Sequence, residues 1–194
     1  MTGADRRRAR RVGQHDTVTT RVAFLRAVNL GRRKVPMARL VEVCEGLGYA
    51  DAWTHANSGN AVFGATGSRA AIERAMERAL EAATGFEVTT FVRTAAELRR
   101  AVAMEPFRLA GGDTYFITFL KQAPPAAVKR ALEAASNDFD TIEVHGRDVH
   151  WRMRGKSTDT KIKASTWKAL GEHASTSRNV NLLTKLVAKI EGSA

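Results

Sequence analysis

The order of the hydrophobic patterns limits what this chain can fold into more than any other feature. An apolar run within Thr20–Val28 reads as a buried strand. Met37–Leu47 then places apolar residues at helical spacing until Gly48 closes the pattern. Ala52–Asn57 and Asn60–Phe63 read as a hairpin around a tight Ser58-Gly59 turn. Ser68–Ala83 predicts a long helix with Ser68 as its N-cap and Gly85 just past its end. Glu87–Val92, rich in Val, Thr and Phe, is a strand. The result is β-α-β-β-α-β, the ferredoxin-like order.

The order recurs. Thr94–Met104 is a connecting helix in which Thr94 and Glu97 form a capping box, and Pro106 stops it. Thr114–Leu120 is a strand and Pro125–Ala135 a helix. Asp140–Val144 and Asp148–Arg152 pair around Gly146-Arg147, Lys161–Leu170 is a helix ending at Gly171, Ala174–Ser177 is a short strand, and Val180–Ile190 is a terminal amphipathic helix. No repeat is obvious in the letters, but the elements suggest a duplication of about ninety residues. The expected fold is α+β: two tandem ferredoxin-like βαββαβ halves, with antiparallel sheets and helices on one face. The expected boundaries are a disordered basic tail at 1–19, an N-terminal half at 20–93, a connecting helix and loop at 94–113, and a C-terminal half at 114–194.

The charge is uneven. The chain carries a net charge of +11, concentrated in the arginine-rich start and the last fifty residues. That balance favours anionic partners, nucleic acid first, although a solvated positive face produces the same count. Arg6, Arg7, Arg8, Arg10 and Arg11 read as a disordered arm for phosphates. Alternatively, a GTG start codon at Val18 would leave residues 1–17 outside the native protein. No apolar run approaches the roughly 20 residues of a membrane span, and no hydrophobic segment follows the arginines as a secretory signal requires. The lone cysteine, Cys44, excludes an intrachain disulfide, suits a reducing cytoplasm and fits a buried helix position.

Several motifs together resemble the DUF1697 family, bacterial proteins of unknown function. They are Phe24-Leu-Arg-Ala-Val-Asn-Leu-Gly31, Lys34-Val-Pro-Met-Ala38, Asn57-Ser-Gly-Asn-Ala-Val-Phe63, Glu105-Pro-Phe107, Thr176-Ser-Arg-Asn-Val-Asn181 and Lys185-Leu186. The chain departs from the family's pattern at Ala56-Asn57, where Ile-Gln is usual, and at Val180, where Trp is usual. The resemblance implies the same duplicated ferredoxin-like fold. It implies no activity.

The candidate site begins in the loop after the first strand. From Arg26 to Arg39 there are five basic residues and no acidic one, and Pro36 stands where a helix begins. A strand that carries such a loop to a helix N-terminus is an anion-binding device. The candidates for anion or nucleic-acid binding are Arg26, Asn29, Arg32, Arg33, Lys34, Asn57, Asn60, Lys156, Lys161, Arg178 and Asn179. Turn and capping duty is the competing explanation for the asparagines. Gly155-Lys156-Ser157 ends like a phosphate-binding P-loop, but His150 stands where that motif needs glycine. In the second hairpin, alternation puts Glu143, His145, Asp148 and His150 on one side. Two imidazoles and two carboxylates make a weak metal or acid-base candidate, weighed against a solvated polar face. His55 fits a structural histidine. Phe24 and Phe63 fit the core rather than an RNA-stacking platform. No cofactor is expected and no catalytic residue stands out. Three functions follow: binding of nucleic acid or another phosphorylated ligand through the basic loops, an enzyme with its site in the cleft between the halves, or a module that interacts or self-associates through a sheet edge.

Overall fold

The computed structural model describes residues 17–29, 31, 33–168, 170 and 175–193. The arginine-rich start, Arg32 and His173 lie outside the described residues. The first half contains β1 (Thr19–Leu25), α1 (Met37–Gly46), β2 (Ala50–Thr54), β3 (Asn60–Ala65), α2 (Arg69–Thr84) and β4 (Thr90–Thr94). Its strands form an antiparallel sheet in the order β2-β3-β1-β4. α3 (Ala95–Ala103) leads to the second half, with β5 (Thr114–Leu120), α4 (Ala126–Ala134), β6 (Asp140–His145), β7 (Asp148–Met153), α5 (Ala164–Lys168) and β8 (Ser175–Asn179). These strands repeat the arrangement as β6-β7-β5-β8, and α6 (Val180–Glu191) follows. The chain is thus two ferredoxin-like halves, as the order of its patterns predicts.

β1 and β5 carry apolar residues on both sides because both sides are covered. Ala23 and Leu25 face α1 and α2 in one core, and Leu120 faces α4 and α5 in another. Val22 and Phe24 meet Ile117 and Phe119 in a third core between the sheets. There the Phe24 and Phe119 rings stack with centroids 4.4 Å apart. Leu98 of α3 and Leu183, Leu186 and Ile190 of α6 complete this core, so two helices join the sheets in the middle layer. At one end of the first sheet Val18, Thr20, Ile190 and Ser193 line a common cleft, which brings the first described strand beside the last helix. No described helix is long and apolar enough to cross a membrane.

Four local expectations are corrected. The first strand takes in Thr19, paired with Ala65, and so begins one residue before the expected Thr20. β1 ends at Leu25 rather than Val28, because Ala27 turns to φ 51° and takes the chain out of the sheet. The first hairpin has no two-residue turn: Asp51 (φ 50°) disturbs the pairing between Ala50 and Trp53, and residues 55–59 form the connection. The helix expected over Lys161–Leu170 shrinks to Ala164–Lys168. Buried Asp140 accepts from the Thr160 hydroxyl and the Lys161 amide, which holds the preceding segment outside the helix.

Candidate anion-binding site

The loop from Arg26 to Pro36 leaves the centre of the first sheet and delivers the chain to α1. Its shape depends on one side chain. Asn29, itself at φ 60°, donates from Nδ2 to the Asn57 carbonyl (2.8 Å) and accepts at Oδ1 from the Val35 amide (2.9 Å). Its own amide donates to the Arg33 carbonyl at 2.7 Å. An asparagine tolerates this left-handed backbone better than most residues and supplies both a donor and an acceptor. Buried Val28 and Val35 fix the loop's two ends in the outer core.

The β2–β3 connection packs against this loop through Gly59. A Cβ there would lie 2.5 Å from Val28 Cγ2, and the backbone is at φ 71°, so only glycine fits. Between loop and connection is a cleft of about 420 Å³ lined by Asn29, Lys34, Val35, Pro36, Met37 and Asn57. Lys34 is exposed and makes no hydrogen bond or ion pair with a described residue. Among the described residues no side chain caps α1, and its first turn carries no acid. Its leading amides and the Lys34 ammonium therefore present donors and positive charge to one cleft.

The other candidates divide. Arg26 is exposed beside this loop, and its amide is tied to the Thr89 carbonyl. Arg33 turns away: it donates to the Glu87 carbonyl and lies over the Phe86 ring, 5.0 Å from the centroid. Asn60 is fully buried, donating to the His55 carbonyl and the Ser58 hydroxyl. Arg178 is buried too, with its five N–H groups satisfied inside the protein. Nε donates to Asn60 Oδ1, Nη1 to the Thr176 hydroxyl and the Ser177 carbonyl, and Nη2 to the carbonyls of Leu25 and Ser58. Burial lowers its pKa to about 10, which leaves it charged at neutral pH. Asn179 is the N-cap of α6. Asn60, Arg178 and Asn179 thus hold the fold together and offer a ligand little.

Lys156 and Lys161 are exposed but belong to a different region. They follow Gly155, whose carbonyl accepts from Thr114 at the start of β5. Thr176, which bonds the Leu25 carbonyl beside the basic loop, pairs with Phe119 at the other end of β5. The strand separates the two basic groups by roughly 20 Å, so they do not form one site.

In the second hairpin the register is the one alternation predicts, Glu143 opposite His150 and His145 opposite Asp148. The four do not converge on a common point, and no three His, Cys, Asp or Glu among the described residues could hold a metal. Asp148 is bound by Arg93. His150 is fully buried and shares a hydrogen bond with the Tyr115 hydroxyl, so this face is not solvated throughout. Cys44 is buried, and desolvation pushes its thiol up to about 12, which makes it inert.

Sequence reasoning missed Arg93, which is 1% exposed. It is the counterpart of Arg178. Arg93 donates across the halves to the carbonyls of Leu120 and Arg147 and to Asp148, while Arg178 donates to Leu25, Ser58 and Asn60. Each guanidinium lies over the other half's central phenylalanine, Arg93 over Phe119 and Arg178 over Phe24. A faint repeat marks them: Arg93-Thr94 with Leu98, Arg100 and Val102 matches Arg178-Asn179 with Leu183, Lys185 and Val187.

Comparison with known proteins agrees with this architecture. No curated protein matches the chain. A solved structure, that of the conserved bacterial protein SP0830 from Streptococcus pneumoniae, superposes with a TM-score of 0.70 at 17% identity, over 90% of this chain and 99% of that one. That likeness shows the shared fold. A family model described as protein of unknown function, DUF1697, matches residues 18–150, which spans the basic loop, the Gly59 connection and Arg93, and the chain therefore belongs to the DUF1697 family.

Proposed function

We propose that this protein binds a phosphorylated ligand, nucleic acid among the candidates, with a phosphate seated in the cleft between the basic loop and the start of α1. The observation that carries this reading is the junction of Lys34, unpaired among the described residues, with the uncapped first turn of α1 in one preformed concavity. Arg26, exposed at the start of the same loop, adds positive charge without lining the cleft, and Asn57 adds a polar wall. The Asn29 staple fixes the loop before any ligand arrives, so little conformational freedom is lost on binding.

The alternatives have less support. An enzyme site built on Asn60 and Arg178 would need groups that are already committed to protein partners. Pairing along a sheet edge meets occupied donors on β4, where the Thr90 and Val92 amides donate to Glu77 and Glu73. On β6 the Ile142 and Val144 amides donate to Ser136 and Glu133.

The test is fluorescence anisotropy with labelled single- and double-stranded DNA and RNA, with pyrophosphate as competitor, between about 50 and 200 mM salt. Lys34→Ala should weaken binding roughly uniformly across sequences and reduce the salt slope by about one charge. Competition by pyrophosphate without nucleic-acid binding would identify a small phosphorylated ligand. Binding unaffected by Lys34→Ala and Arg26→Ala would refute the site.

A further inference from the structure

A second cleft, of about 430 Å³, opens between α3 of the first half and the β6–β7 hairpin of the second. Two ion pairs that cross between the halves line it: Arg93 Nη2 lies 2.8 Å from Asp148 Oδ1, and Arg147 Nη2 lies 2.7 Å from Glu97 Oε1. Burial works against the Glu97 charge, but the Thr94 amide, Arg147 and Arg93 outweigh it and lower its pKa. Both acids are therefore matched by an arginine.

That leaves a surplus. Arg100 lines the same cleft, is exposed, and has no side-chain partner among the described residues. Arg147 uses Nη2 on Glu97, and its Nη1 is buried without an acceptor among the described residues. His145 is a further lining residue, backed by Glu143 at 3.0 Å. The cleft also has an apolar side. Met104, 43% exposed and one of the few large apolar side chains left in water, lines it with Ala101. An uncompensated arginine, a second guanidinium with a spare donor and an exposed methionine within one small concavity suit an amphiphilic anion.

We propose that this cleft is a second ligand site, which takes a small molecule with a phosphate or carboxylate head against Arg100 and Arg147 and a short apolar body against Met104. Its dimensions admit a metabolite-sized molecule rather than a polymer. None of its lining residues belongs to the α1 cleft, so the two sites stand or fall separately. Because both halves contribute, an occupant bridges them and stabilises the folded chain by mass action.

The full chain would be titrated with inorganic phosphate, phenyl phosphate and butyrate at constant ionic strength. Binding would be read from the His145 ring signals by NMR and from calorimetry. Saturable shifts of His145 are expected, with phenyl phosphate binding more tightly than inorganic phosphate; comparison with butyrate identifies the preferred head. Arg100→Gln, which removes an unpaired exposed side chain, should weaken binding at least about tenfold. Met104→Gln should abolish the advantage of phenyl phosphate, and Lys34→Ala should leave the His145 shifts unchanged. Non-saturable shifts with all three probes, unchanged affinity in Arg100→Gln, or loss of the signal in Lys34→Ala would each overturn the proposal.

Discussion

Truncating Arg93 to alanine would take its donors from the Leu120 carbonyl and the Asp148 carboxylate at a buried junction and leave the Arg147 carbonyl with only the Leu120 amide. Removing one member of such a network costs about 3–5 kcal/mol, and urea unfolding of Arg93→Ala should read a loss of that size. Arg93→Lys should recover little, because one ammonium cannot reproduce a planar fork that meets four acceptors. His150 sets a different dependence. Burial, reinforced by His145 and opposed by Glu143, lowers its pKa to about 4 from 6.5. Above pH 6.5 the ring is neutral folded or unfolded, so it contributes no slope. As pH falls from 6.5 to 4 the unfolded chain takes up the proton and the folded chain does not, and about 3 kcal/mol of stability is lost. Replacing both partners, His150→Leu with Tyr115→Phe, removes the shared hydrogen bond without stranding either group. Urea melts at pH 7 and pH 4.5 should then differ less in the double variant than in the parent; an equal drop would remove His150 from the account.

Elements in this chain are protected as well as built. Glu73, 3% exposed on α2, accepts from the Val92 amide at 3.0 Å and pairs with Arg69 at 2.7 Å. It thereby occupies an outward donor of the β4 edge. Glu73→Ala should cost about 1–3 kcal/mol and raise self-association in sedimentation velocity, whereas Glu73→Gln keeps an acceptor and should stay monodisperse if its parent does. This carboxylate looks in the sequence like one more solvated helix residue, because its role depends on a strand folded against it. Other elements were legible because local chemistry agreed with the global fold. The second hairpin and its register follow from alternation around Gly146-Arg147, and the Thr94–Glu97 capping box is present as read. The first hairpin was misread because its left-handed residues include Asp51 and Ala56, which announce no turn. For the site, the basic loop and its delivery to α1 were legible from the strand, the arginines and Pro36. The burial of Arg178 was not, since its Leu25, Ser58 and Asn60 acceptors lie more than a hundred positions away in sequence.

Over the whole molecule, the halves share one interior. The stacked Phe24 and Phe119 rings and the exchanged arginines give each half part of the other's core, so unfolding one exposes the other. The meeting of Val18 and Thr20 with Ile190 and Ser193 has a separate consequence. It makes the order of the halves along the chain a matter of covalent history rather than of architecture. A circular permutant that starts at Leu109, runs to Ser193, crosses a short glycine-serine linker to Thr17 and ends at Arg108 cuts the backbone only between two exposed residues. Its circular dichroism spectrum and its single urea transition should match those of the parent, with a stability within about 2 kcal/mol. A split transition would mean that the link through Arg108 and Leu109 is needed to hold the halves together. A match would mean that the polypeptide is a ring in everything but its bonds, free to be opened wherever its surface is bare.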